Sequence, residues 1–119
     1  MAKHNELGKE GEQLALEFLK EKGYKILEQN YRLGKAEIDL IIIKENLLIA
    51  VEVKTRSTNY FGNPEEFVNT KKKKMLVEAM NSYVIEYDLD VEVRFDIIAV
   101  LKQKNDFKIE HIEDAFLFF

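Results

Sequence analysis

Glu37-Ile38-Asp39-Leu40-Ile41-Ile42-Ile43 and Leu47-Leu48-Ile49-Ala50-Val51-Glu52-Val53-Lys54, separated by Lys44-Glu45-Asn46, decide how this chain folds. Both runs are rich in β-branched residues and have strand length. The polar break between them suits a tight turn, so the pair reads as a β-hairpin. An even-membered loop centred between Glu45 and Asn46 puts Asp39 opposite Glu52 and Glu37 opposite Lys54. Side chains alternate along a strand, so Glu37 and Asp39 share a face, as do Glu52 and Lys54. Ile41, Ile43, Leu48 and Ala50 continue that face. Ile38, Leu40, Ile42, Leu47, Ile49, Val51 and Val53 make the other. Apolar residues on both faces mark central strands of a covered sheet. The charges therefore sit at one end of a buried hairpin.

Facing carboxylates are a cost unless something offsets them. Two of them about 5 Å apart repel by about 3 kcal/mol at an effective dielectric of about 20. Glu37, Asp39, Glu52 and Lys54 together carry two excess negative charges. A divalent cation would balance them. Carboxylate oxygens with no Cys or His beside them favour Mg²⁺, Mn²⁺ or Ca²⁺ over Zn²⁺. A surface ladder of ion pairs would use the same residue types. Lys54, two residues beyond Glu52, has two readings that coexist. It can orient a water and stabilise charge at a phosphate, or form a salt bridge to Glu37. Glu37 itself either ligates a cation or holds that lysine.

Asp39 followed by Glu52-Val53-Lys54 resembles the signature of the PD-(D/E)XK nuclease superfamily. Asn30-Tyr31-Arg32, Ala36-Glu37-Ile38-Asp39-Leu40-Ile41 and Val51-Glu52-Val53-Lys54-Thr55-Arg56 more closely resemble the YraN family, a bacterial group related to archaeal Holliday-junction resolvases. The likeness extends to Gly11-Glu12, Phe61-Gly62, Lys71, Lys74, Ala79, Arg94-Phe95-Asp96 and Ala115-Phe116, so it covers nearly the whole chain. Ala36 stands where the family usually has glycine, and Ile38 where the superfamily name has proline. The resemblance implies a restriction-endonuclease-like α/β/α core, a mixed central sheet flanked by helices. It implies a metal-dependent endonuclease using Mg²⁺ or Mn²⁺ on DNA, with Asp39, Glu52 and the Val53 backbone carbonyl as metal ligands. It makes Glu12 an assisting acid, and Lys71 and Lys74 contacts to nucleic acid. A junction substrate would further imply a homodimer, since two strands must be cut. The alternative is a non-catalytic nucleic-acid-binding module that retains the same fold.

The 119 residues suit one domain, taken as 1–119, with a single core. No cysteine is present, which excludes disulfides, thiolate zinc and a Cys nucleophile. No segment reads as a signal or membrane span, so a cytoplasmic protein without a membrane partner is expected. The net charge of −4 speaks against a strongly basic nucleic-acid binder. The acid excess, however, falls after residue 80, which leaves room for a local basic rim. Arg32, Lys35 and Arg56 flank the carboxylates and can hold phosphates. Lys71 to Lys74 open a helix, where positive charge opposes the helix dipole; this suggests an anionic partner, and a solvated charged turn is the alternative.

Glu6 to Lys22 carries Leu7, Gly11, Leu14, Ala15, Phe18 and Leu19 at helical spacing, and Gly23 stops it. Glu12 lies at the edge of that stripe, half-buried and aimed at the sheet. Tyr24–Asn30 reads as a strand, Thr70–Tyr87 as a second helix, and Val91–Leu101 and Phe107–Ile112 as further strands. Tyr60 and Phe61 lie in the loop after Arg56, with Gly62 and Pro64. Asp96 is expected to be buried with Arg94 or Arg32. His4 and His111 have no metal-ligand spacing and read as isolated.

Overall fold

β-Branched residues fill the middle of the sheet. Among the described residues, five strands lie in the order β1 (Lys25–Leu33), β2 (Ala36–Lys44), β3 (Leu47–Arg56), β4 (Glu92–Gln103), β5 (Asp106–Ile112). β3 and β4 run parallel and the other neighbours antiparallel, so the sheet is mixed. This computed structural model describes residues 2–57 and 69–115. Tyr60, Phe61, Gly62, Pro64 and the Phe116-Leu117-Phe118-Phe119 tail lie outside the described residues, as does the side chain of His4.

Among the described residues, one helix covers each face. Helix α1 (Ala2–Glu21) packs Ala15, Leu16 and Leu19 onto Leu40, Ile42, Ile49, Val51, Val53, Ile98 and Val100. Helix α2 (Thr70–Glu86) packs Leu76, Ala79, Met80 and Tyr83 onto Ile38, Ile41, Leu48, Ala50, Phe95 and Ile97. This is the expected restriction-endonuclease-like α/β/α core. The parallel step from β3 to β4 requires a crossover, and α2 provides it. No helix among the described residues is long and apolar enough to cross a membrane.

Local chemistry fixes the helix ends. Gly23, at φ +94°, closes α1: its amide bonds to Lys20 O and the Tyr24 amide to Leu19 O, a Schellman arrangement. Asn69 caps α2, its side chain accepting from the Lys72 amide at 2.8 Å. That cap sets the phase of the lysine run, making Lys72 the third helical residue.

The hairpin register is the expected one, from Leu40–Val51 to Lys44–Leu47 around a two-residue turn whose first member, Glu45, has φ +56°. One expectation fails. Ile38 joins the α2 side of the sheet although Leu40 lies on the α1 side. Strict alternation therefore breaks at Asp39. Across from it in β1, Asn30 takes a left-handed backbone, φ +53°. The local twist turns the end of β2 relative to its middle.

Gly11 sets how closely α1 approaches the sheet. It is buried, and a Cβ built there would collide with the Thr55 side chain of β3. Gly11→Ala gains about 1 kcal/mol of helix propensity, but the overlap costs more. A net loss of about 1–2 kcal/mol is expected in urea denaturation. Thr55→Ala in the same background should recover part of it. A Gly11→Ala protein as stable as wild type would contradict this packing.

Candidate active site

β2 and β3 part company beyond Leu40–Val51. The end of β2 stays with β1, pairing Glu37 with Arg32 and Ile38 with Tyr31. The end of β3 follows β4, pairing Glu52 with Ile97 and Lys54 with Ala99. A fork opens between the two strands. Asp39 bridges it: its Oδ2 accepts a 2.8 Å hydrogen bond from the Val53 amide. The side chain thus replaces the ladder bond that the divergence removed.

Glu52 stands beside Asp39 and is only 4% exposed. Burial, then the charge of Asp39, pushes its pKa up to about 7, against the opposing pull of Lys72 and Lys54. Burial also raises Asp39, while the Val53 amide, the Glu52 carboxyl and Lys72 act the other way. Lys72 Nζ lies 3.2 Å from Glu52 Oε2, an ion-pair distance. The ammonium is the charge that faces this otherwise buried oxygen. Glu12 enters from α1. Burial raises its pKa first, and then the nearby charges of Asp39 and Glu37. Carboxylates from three elements therefore act on one another at the fork.

The fork opens into a cavity of about 370 Å³. Lys35, Glu37, Asp39, Glu52, Lys71 and Lys72 supply its charged lining, and Met75 and Leu76 part of its apolar wall. Lys54 is half-buried on the same face as Glu52, and among the described residues it has no ion-pair partner. Glu37 pairs across to Arg32 at 3.6 Å. The expected Glu37–Lys54 facing pair is absent because the strands have already diverged there. Arg56 is exposed and its Nη1 donates to Thr55 O. Lys74 is exposed and outside the cavity lining.

Lys72 is the residue that sequence reasoning missed. The Asn69 cap was the available signal, since it fixes which lysine of the run turns inward. His111 is a second miss. Its Nε2 lies 2.8 Å from Asp96 Oδ2, and its Nδ1 lies 3.1 Å from Lys22 Nζ. An ammonium can only donate, so Nδ1 accepts and Nε2–H donates to Asp96. Arg94 binds both Asp96 oxygens at 2.9 Å, and the Asp114 amide adds a further bond. Burial works to raise Asp96, but His111, Arg94 and the Asp114 amide outweigh it and hold the carboxyl below its usual value. This network fastens the end of β5 to β4. It lies apart from the cavity.

The oxygen-only donors at the fork suit a hard divalent cation, and the buried Oε2 of Glu52, faced by the Lys72 ammonium, is an atom such an ion would satisfy. Among the described residues, no group of three or more His, Cys, Asp or Glu side chains stands in position to hold a metal ion. The pair Asp39 and Glu52 is the assembled part. Val53 donates its amide to Asp39 at the same fork.

Fold and fork together define a restriction-endonuclease-like domain with a paired-carboxylate centre. The model of the uncharacterised protein family UPF0102, the YraN family, matches residues 11–100, and the chain belongs to this family. It is 60% identical to a UPF0102 protein of Flavobacterium psychrophilum and 62% to one of Christiangramia forsetii, each over the full length of both chains. A UPF0102 protein of Bacteroides thetaiotaomicron is 49% identical over 116 residues, 98% of this chain and 96% of that one.

The raised pKa of Glu52 carries a sign for stability. Between the ordinary glutamate value of 4.5 and about 7, the folded chain holds a proton that the unfolded chain has released. Stability from this group is therefore full at low pH and falls as pH rises through that window. Glu52→Gln removes the penalty. It should stabilise the protein by about 1–2 kcal/mol at about pH 8 and change little at about pH 5. Urea denaturation at the two pH values checks this, and equal effects at both would contradict it.

Proposed function

We propose that this chain is a metal-dependent endonuclease acting on DNA phosphodiester bonds. The observation that carries the reading is half-buried Asp39 beside buried Glu52 at the strand fork, both lining a cavity that Lys35, Lys71 and Lys72 also line. Asp39 and Glu52 would hold Mg²⁺ or Mn²⁺. When bound, the ion supplies Lewis-acid polarisation of a phosphate oxygen and a more acidic water. Lys54, on the face of Glu52, orients the attacking water and offsets charge as it builds on the phosphate. Glu12, already raised by burial and by its acidic neighbours, is suited to hold or relay a proton beside Asp39. Lys35 and Lys71 line the cavity and hold the DNA backbone.

The second reading is a DNA-binding module that keeps the fold and does not cleave. It is favoured by the absence, among the described residues, of a third carboxylate in ligand position. The two readings part on catalysis alone.

Asp39→Asn and Glu52→Gln should each abolish Mn²⁺ binding in calorimetry while the fold survives. Lys54→Ala should keep Mn²⁺ and DNA binding and lose cleavage by about a hundredfold or more, the scale of one preorganised electrostatic group. The assay is Mn²⁺-dependent cleavage of junction, flap, duplex and single-stranded DNA. Unchanged Mn²⁺ binding in both carboxylate variants would end the metal assignment. Binding of these DNAs with no cleavage of any would leave the second reading.

DNA affinity should be modest and fall steeply with salt, because the chain is acidic overall and only the cavity rim is basic. Replacing Lys35 and Lys71 together by Gln should flatten the log–log salt dependence on duplex DNA by up to about two units. Lys102 and Lys108, on β4 and β5, serve as controls. If the control pair weakens binding as much, the binding face lies elsewhere.

A further inference from the structure

Lys72 has no part in the reaction as described above, although it is the cation nearest the paired carboxylates. Its backbone is fixed: the amide is bound to the Asn69 cap at 2.8 Å, so the side chain always starts from the same point at the cavity edge. The side chain is 37% exposed, and its ammonium meets Glu52 Oε2 at 3.2 Å. A partly exposed ammonium thus rests on the buried oxygen that a divalent cation would take.

Charge balance makes the two occupants competitors. Asp39 and Glu52 carry two negative charges when ionised. A divalent cation neutralises both and leaves no electrostatic reason for Lys72 to stay. The cavity that Lys72 already lines also contains Lys35 and Lys71. Released there, its ammonium adds to the groups that attract phosphate.

We propose that Lys72 is an exchangeable counter-ion, which neutralises Glu52 until a divalent cation displaces it and then serves as a phosphate contact in the same cavity. This rests on the reading of Asp39 and Glu52 as the cation-binding pair. It makes cation occupancy and DNA affinity mutually reinforcing, and by linkage each must strengthen the other by the same factor.

The test is Mn²⁺ calorimetry on wild type, Lys72→Met, Lys72→Gln, Lys71→Met and Asp39→Asn, with thermal melts to verify folding. Removing the competitor should tighten Mn²⁺ binding about tenfold in both Lys72 variants, the scale of one close charge pair in a partly exposed site. Lys71→Met changes the same net charge but touches neither carboxylate, and it should tighten binding far less. In parallel, a fluorescent DNA duplex is titrated in EDTA and in Ca²⁺. Wild type should gain affinity with Ca²⁺, and Lys72→Met should lose most of that gain while matching wild type in EDTA. Unchanged Mn²⁺ affinity in the Lys72 variants, or an equal effect of Lys71→Met, overturns the exchange while Asp39→Asn still loses the ion. A full Ca²⁺ gain in Lys72→Met overturns the phosphate role. If Asp39→Asn binds Mn²⁺ like wild type, the metal reading fails and this inference fails with it.

Discussion

The hydrogen bond from the Val53 amide to Asp39 holds the centre of this molecule together. β2 and β3 must separate because they serve different neighbours: β2 remains with β1 and β3 remains with β4. Separation strips ladder partners from backbone groups at the fork, and an unsatisfied buried amide costs on the order of 1–3 kcal/mol. Asp39 supplies the missing acceptor. In doing so it is drawn into the sheet, beside Glu52, and both lose water. The raised proton affinity of the pair follows from that one geometric demand.

The rest of the site is arranged around this cost. α1 approaches closely at Gly11, which brings Glu12 near enough to feel Asp39. α2 is capped so that Lys72, and not its neighbours in the run, reaches Glu52. The break in alternation at Asp39, matched by the left-handed Asn30 in β1, turns Ile38 toward α2 and the strand end toward the cavity. Local strain of this kind tends to collect where a fold departs from its own repeating rules.

Away from the fork, Asp96 shows a different solution to burying a carboxylate. It is wholly buried, as Glu52 nearly is, yet Arg94, His111 and the Asp114 amide supply its hydrogen bonds. Its proton affinity is accordingly lowered where that of Glu52 is raised. The contrast separates a satisfied structural carboxylate from an unsatisfied one in the same sheet. The first locks β5 and the residues that follow it; the second faces a cavity.

The hairpin, its register, the two helices and the grouping of Asp39 with Glu52 were legible in the chain itself. Strand periodicity, a two-residue turn and Gly23 at a helix end are local signals that act over a few residues. Glu12 was legible as a half-buried edge residue, since a helical wheel needs only spacing. The Arg32–Glu37 pair, Lys72 on Glu52, His111 on Asp96 and the turned face of Ile38 were not. Each joins residues from separate elements or depends on where two strands stop pairing. Those outcomes are settled by packing across the whole sheet, which no local period records. The sequence by itself determined which residues could form the centre. Only the tertiary structure decided which carboxylates would lose water and which lysine would meet them, because desolvation and charge pairing depend on distance in space and not along the chain.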